Sequence, residues 1–420
     1  MKSVKRDLLR AWNYVFTLLK WVVIAALTGA VGGLIGAAFH LSVEKVTALR
    51  ESHNWLIFLL PLGGLLIAGI YKLAHLENAG TDAVIDAVRS KYSVPILLAP
   101  LIFISTVVTH LCGGSAGREG AALQLGGAIG AQVGRTFRLD EKDMHLVTLC
   151  GMSAVFSALF GTPLTATVFA LEVISVGVVY YSGIVPCLVS ALIAYGISLL
   201  FHLEPVRFSI ATIPSYSWQS CGKVVLMAAL CAALSIAFCL LMTFTHKGAA
   251  KLFKNPFLRA AVGGVLLIGL SLLFPNDYNG AGMPIIARAI GGEALPCAFL
   301  LKMLFTAVTI GFGFKGGEIV PTFFIGATFG CTLGAVLGLP SGFGAAIGLV
   351  ALFCGVVNCP IASVFLSVEL FGIGGLLYFA LACAFSFALS GYFGLYSSQK
   401  IIYSKTRAEY ININTWKEIE

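Results

Sequence analysis

GMSAVFSALFGTP, residues 151–163, and GLVALFCGVVNCP, residues 348–360, carry Gly, Ala, Phe and Pro at one constant offset. The register continues past the prolines: Phe169 stands three residues before Glu172, Leu366 three before Glu369, and each acid lies nine residues after its proline. Upstream, Gly117, Gly126, Gly130 and Gly134 match Gly317, Gly326, Gly330 and Gly334 at an offset three residues larger, as a small deletion in the intervening loop produces. Matched Gly, Pro and Glu at near-constant spacing separate an internal duplication from chance likeness between apolar helices. Two halves, residues 15–205 and 215–400, joined through 204–217, are therefore expected within one transport domain covering 1–420. Repeats of this kind usually build transporters with the site at the repeat interface.

Around these segments the chain is 58% hydrophobic and 11% charged, whereas soluble domains carry roughly 25% charged residues. Apolar runs long enough for ~30 Å of hydrocarbon recur at 21–41, 56–73, 95–111, 146–179, 184–200, 224–244, 261–274, 298–314, 321–337, 343–357 and 376–393. The fold class expected is an all-α polytopic membrane protein, a lipid-bilayer resident built from an inverted-topology repeat with broken and half-membrane helices. The basic opening MKSVKRDLLR precedes an apolar segment too long for a cleavable signal, so it reads as a retained first span. Lys2, Lys5, Arg6 and Arg10 at one end and Lys400, Lys405, Arg407 and Lys417 at the other place both termini in the cytoplasm and make the crossings even in number.

The net charge of +8 needs no nucleic acid partner, because cytoplasmic loops of membrane proteins are basic. Eleven cysteines lie scattered without a CxxC pair, as small buried thiols rather than disulfides or zinc ligands. The seven histidines, including His110, show no metal-ligand spacing. No metal and no cofactor are expected.

Glycine clusters at Gly113-Gly114-Ser115-Ala116-Gly117 and Gly311-Phe-Gly-Phe-Lys-Gly-Gly317 each precede an apolar segment. Irregular backbone at membrane depth is tolerated only where protein or a watery cavity satisfies its polar groups. Each cluster therefore announces a helix that starts inside the membrane, aiming free N–H groups and its positive end inward. That geometry binds anions.

Glu119 stands in the first turn of one such helix. An ionisable residue at that depth costs about 2.5 to 3.5 kcal/mol or more, so it should be functional or paired. Ionised among helix starts, it can occupy the place of a transported anion; protonated, it loses its hold and swings away. The alternative is a capping glutamate paired with Arg118.

Gly117-Arg118-Glu119-Gly120 resembles the GREG motif of the CLC anion channel and antiporter family, whose glutamate is the external gate. Three further places share the resemblance, which covers nearly the whole chain. Asn78-Ala79-Gly80-Thr81-Asp82-Ala83-Val84 lies where the family has its GSGIP-type loop, Gly317-Glu318-Ile319-Val320-Pro321 resembles GxFxP, and Tyr396, expected to open the last helix, matches the tyrosine that gives its hydroxyl to the central anion. The resemblance implies an anion-binding set of Ala79, Gly80, Arg118, Gly120, Gly317, Ile319, Val320 and Tyr396. It also implies a homodimer with one pore per subunit, while the chain ends too soon for the regulatory domains some relatives carry.

Three positions depart from the pattern. Ala79 replaces the serine that donates to the central anion, Val173 replaces the inner glutamate of chloride/proton exchangers, and Glu318 stands where the GxFxP-like motif is ordinarily apolar. A second carboxylate repels anions when ionised, but when protonated it is a donor suited to a small, strongly hydrated anion. The alternative is that Glu318 faces away and pairs with Lys315. A lost serine with a gained glutamate resembles the family's bacterial fluoride/proton antiporters. Fluoride export driven by inward protons through the inner membrane of a bacterium is accordingly the leading expectation, with Glu119 as gate and proton carrier and Glu318 assisting. A chloride/proton antiporter and a passive chloride channel are the alternatives within the family. An intramembrane enzyme using the two carboxylates lacks nucleophile and metal-ligand motifs.

The remaining polar residues are given structural roles. Asp82 stabilises its helix start, Glu172 and Glu369 form salt bridges or lie at an interface, Lys302 snorkels from the start of its span, and Asn358 caps a half-helix.

Overall fold

The structure is a computed structural model that describes residues 2–77, 79–90 and 94–416. Asn78 and Lys417, and the side chains of Lys2, Lys5 and Arg6, lie outside the described residues. The first half contains α1 (Lys2–Ser52), α2 (Leu60–Leu73), α3 (Thr81–Ala87), α4 (Leu98–Cys112), α5 (Glu119–Thr136), α6 (Glu141–Phe160), α7 (Pro163–Glu172) and α8 (Ile184–Leu200). The second contains α9 (Trp218–Leu252), α10 (Pro256–Leu273), α11 (Met283–Ile290), α12 (Ala298–Gly311), α13 (Ile319–Leu337), α14 (Ser341–Val357), α15 (Pro360–Phe371) and α16 (Leu376–Leu389). Among the described residues, seven helices are long and apolar enough to cross a bilayer, and shorter apolar helices accompany them. The chain is a multi-pass membrane protein.

The apolar run 146–179 is two helices rather than one. α6 stops at Gly161, whose φ of +68° is left-handed, and Pro163 opens α7, where its missing N–H costs nothing. α14 likewise stops at Asn358, φ +57°, and Pro360 opens α15. Asn358, expected to cap a half-helix, is the C-cap of α14, in a left-handed conformation that Asn tolerates better than most residues.

Close glycine packing joins α5 to α6 and α13 to α14. A Cβ at Gly126 would lie 2.8 Å from the Met152 Cα, and one at Gly330 would lie 2.9 Å from the Gly348 Cα. In lipid, where apolar side chains gain little by meeting one another, small residues let backbones approach and supply packing.

After α16 no further helix forms among the described residues. A short sheet of order β1-β2-β3 takes its place, with β1 (Ser175–Val176) parallel to β2 (Lys400–Tyr403) and β2 antiparallel to β3 (Tyr410–Asn414). Tyr396 therefore sits in an irregular segment ahead of β2, not at a helix start.

Candidate functional site

Gly117 and Gly317 donate to each other's carbonyls, both at 2.7 Å, in an isolated antiparallel bridge. The bridge brings the starts of α5 and α13 together inside the protein. The fit depends on both residues lacking side chains, since a Cβ at Gly317 would meet the Glu119 nitrogen at 2.9 Å and the Gly120 Cα at 3.1 Å, and one at Gly117 would meet the Pro321 Cδ at 3.1 Å.

Glu119 is the first residue of α5 and is 1% exposed. Its Oε2 accepts from the Arg118 backbone N–H at 2.8 Å, and its Oε1 lies 3.5 Å from the Arg118 Nε. The carboxylate thus folds back over its own helix start, among donors, and pairs with Arg118 as the capping alternative anticipated.

Glu318 is the N-cap of α13, and no hydrogen bond from its side chain satisfies the N–H groups it precedes. Its Oε2 is buried without a hydrogen-bond partner among the described residues. It makes no ion pair with Lys315, whose ammonium lies over the Tyr71 ring at 4.4 Å. The Tyr396 hydroxyl is likewise buried and has no hydrogen-bond partner among the described residues, on a residue 3% exposed. Buried polar atoms nearly always find partners. The Glu318 Oε2, at the start of α13, and the Tyr396 hydroxyl are two exceptions among the described residues.

Of the residues expected to hold an anion, some have committed N–H groups. Ala79 N–H closes a turn on the Leu76 carbonyl at 2.9 Å, Gly317 N–H is in the bridge, and Arg118 N–H binds Glu119. Gly80 is the N-cap of α3. Ala83 N–H in α3 donates to the Gly80 carbonyl at 3.2 Å, whereas the N–H groups of Thr81 and Asp82 in α3, of Gly120 in α5, and of Ile319 and Val320 in α13 come before the first intrahelical hydrogen bonds. The candidate donors are these helix starts together with the Tyr396 hydroxyl.

Sequence reasoning did not anticipate Thr81 and Gln124. The Gln124 amide donates to Thr81 Oγ1 at 3.0 Å, and Thr81 Oγ1 donates to the Gly120 carbonyl at 3.4 Å, joining α3 to α5 beside the bridge. A Gln one helical turn beyond Gly120 was the available signal.

Three structural roles change. Glu172, at the end of α7, accepts from Ile361 and Ala362 N–H at 3.2 and 2.8 Å, while Glu369, in α15, accepts from Leu164 and Thr165 N–H at 2.9 and 2.8 Å. Each carboxylate caps the other's helix, and among the described residues neither forms the salt bridge that was one of the two expected roles. Lys302 does not snorkel: it is 0% exposed, and its ammonium donates to the Tyr278 and Gly280 carbonyls at 3.1 and 2.7 Å. Asp82 remains in the first turn of α3 but also accepts from Ser398 N–H at 2.8 Å and the Ser397 hydroxyl at 3.0 Å.

The sequence profile of the voltage gated chloride channel family matches residues 63–391. A chloride/fluoride channel protein of Pseudomonas syringae pv. tomato is 37% identical over 399 residues, 92% of this chain and 87% of that protein. An H(+)/Cl(-) exchange transporter of Vibrio campbellii is 27% identical, over 83% of this chain and 81% of its own. Among solved structures, a CLC-type fluoride/proton antiporter superposes with a TM-score of 0.88 at 29% identity, covering 91% of this chain and 98% of the other. A slow cyanobacterial Cl-/H+ antiporter, at TM-score 0.77 and 18% identity, shares the fold. With helix starts converging on a buried glutamate and a family profile running through most of its length, the chain belongs to the CLC family of voltage gated chloride channels and their relatives.

Proposed function

We propose that the protein exchanges fluoride for protons, exporting fluoride at the expense of the proton gradient across a bacterial membrane. The observation that carries this reading is the pair of carboxylates, Glu119 and Glu318, on either side of the Gly117–Gly317 bridge where two helices begin. Ionised, Glu119 competes with an anion for the donors of α5 and α13. Protonated, it holds them far more weakly, and the anion enters. A carboxyl group at 318 adds a donor when protonated, and a small, strongly hydrated anion gives up its water only to donors of that strength. The names of the relative from Pseudomonas and of the solved antiporter support fluoride.

Purified protein in liposomes provides the test. A fluoride gradient alone is expected to drive proton movement, and Glu119→Gln to abolish it. A second reading, chloride in place of fluoride, is favoured by the Vibrio relative's name, and Val173 favours a passive chloride path. Proton-coupled chloride flux exceeding that of fluoride, or chloride current without protons, would reject the leading reading.

A further inference from the structure

Ala79 takes a side-chain donor away from the segment before α3, and two residues on Thr81 brings a hydroxyl back. Thr81 and Gln124 are 8% and 5% exposed. Thr81 Oγ1 accepts from the Gln124 amide at 3.0 Å, which occupies the acceptor side of the hydroxyl. Its proton faces the Gly120 carbonyl at 3.4 Å, beyond the roughly 2.5 to 3.0 Å usual for an O–H···O bond. The Gln124 Oε1 is buried with no hydrogen-bond partner among the described residues. Whichever way the amide turns, the pair keeps a buried donor to spare, the hydroxyl proton when the amide donates and an N–H when it accepts.

Gly120, the acceptor of the long bond, follows Glu119 directly, and a Cβ on it would lie 3.0 Å from the Glu318 Oε2. The spare donor and the partnerless carboxylate oxygen therefore border one residue. A Cβ at Gly80 would meet nothing within 4 Å, so packing leaves room beside Thr81. α3 is anchored without the hydroxyl: a Cβ at Gly127 would collide with Val84, and Asp82 accepts from Ser397 and Ser398.

We propose that the Thr81 hydroxyl, oriented by Gln124, is the specificity-determining donor to the anion at the start of α5, filling the place of the serine that Ala79 replaces. The inference rests on the fluoride reading above. The anion takes the Thr81 proton in exchange for the long bond to Gly120, while the amide continues to hold the hydroxyl oxygen. A hydrogen bond to a charged acceptor is stronger than one between neutral groups. Fluoride gains more from it than chloride does, because attraction to the hydroxyl rises as the ion becomes smaller. Gln124 acts through Thr81 and is a positioning residue.

Thr81→Val, which keeps the shape and removes the hydroxyl, and Thr81→Ser, which keeps the hydroxyl, test this by calorimetry with sodium fluoride and sodium chloride. Thr81→Val is expected to weaken fluoride binding about ten-fold or more, the worth of one hydrogen bond to a charged group, and chloride binding clearly less. Thr81→Ser should bind fluoride nearly as the wild type does. Unchanged fluoride binding in Thr81→Val, equal loss of both ions, or a Thr81→Ser protein as weak as Thr81→Val would overturn the proposal, the last two showing that Thr81 only holds α3 in place. Should Thr81→Val not fold, Gln124→Met is expected to lower the preference for fluoride over chloride several-fold, and an unchanged preference would overturn it. Wild-type protein that shows no preference for fluoride defeats the fluoride reading itself, whereas a wild-type preference that persists in Thr81→Val defeats only this inference.

Discussion

At Gly317 an added Cβ would lie 2.9 Å from the Glu119 nitrogen and press on that of Gly120. Gly317→Ala is therefore expected to part the two helix starts, cost about 1 to 3 kcal/mol through overpacking, and abolish flux. Gly222→Ala, in α9 where a Cβ meets nothing within 4 Å, should instead stabilise by at most about 1 kcal/mol. Thermal unfolding in detergent beside liposome flux distinguishes them, and equal behaviour of the two would contradict the bridge's role. Lys302 is a second case. Lys302→Met leaves the Tyr278 and Gly280 carbonyls without their donor, a loss of about 1 to 3 kcal/mol. The effect should reach the glycine-rich loop before α5, because Gly280 N–H donates to the Gly114 carbonyl at 3.1 Å. An unchanged melting temperature in Lys302→Met would reject that account. Sequence showed Lys302 only as a cation near the start of a span, where snorkelling is the usual outcome. Its true acceptors, 22 and 24 residues away in the chain, are invisible without the fold. Glu119 and Glu318 were legible for the opposite reason, since a charge placed directly after a glycine cluster in an apolar chain has few structural explanations.

α7 and α15 pack against each other with a carboxylate from each closing the other's first turn. An N-terminal cap of this kind contributes about 0.5 to 2 kcal/mol, and the helix macrodipole adds to it. Glu172→Ala and Glu369→Ala should each lower the melting temperature. Because Glu172 and Glu369 cap different helix starts and share no partner, the double variant should lose the sum within about 0.5 kcal/mol. The wild-type margin should also resist added salt, since buried pairs are screened far less than exposed ones. A margin that disappears in high salt would point to surface ion pairs instead. The breaks that create α7 and α15 were written in the chain as Gly161 and Asn358, each two residues before a proline. The partners of Glu172 and Glu369 were not, because a carboxylate near a helix end suits a salt bridge, an interface and a cap equally well until the neighbouring helix is placed. The missing last helix has a related cause. The β-branched and aromatic run Ile401-Ile402-Tyr403 suits a strand, and Ser175–Val176 offers it an edge, so tertiary pairing overrides the helix that family likeness suggested for Tyr396.

Across the whole molecule, the segment carrying Tyr396 is fastened at points far apart in sequence. The Gln399 amide donates to the carbonyls of Val173 and Val357 at 3.0 and 2.9 Å, and its oxygen accepts from Asn358 at 3.0 Å. Asn358 in turn donates to the Phe393 carbonyl and accepts from the Lys405 ammonium at 2.5 Å, and that ammonium also reaches the Ser390 hydroxyl and lies over the Phe387 ring. One residue at the end of α14 thus joins the exit of α7, the segment before β2 and the hairpin beyond it. If this network acts as a unit, Gln399→Leu and Lys405→Ala each release the same Asn358, and the second substitution has less left to remove. Their combined loss of stability should fall short of the sum by about 0.5 to 3 kcal/mol, the range found for groups sharing one network. Gln399→Leu should also weaken fluoride binding, since Tyr396 is three residues upstream and loses its fixed position, whereas Lys405→Ala should weaken it less. Strict additivity in the unfolding cycle would mean that the hairpin and the Tyr396 segment are held independently. The hydroxyl at the candidate site would then owe its placement to the contacts of Ser397 and Ser398 with α3.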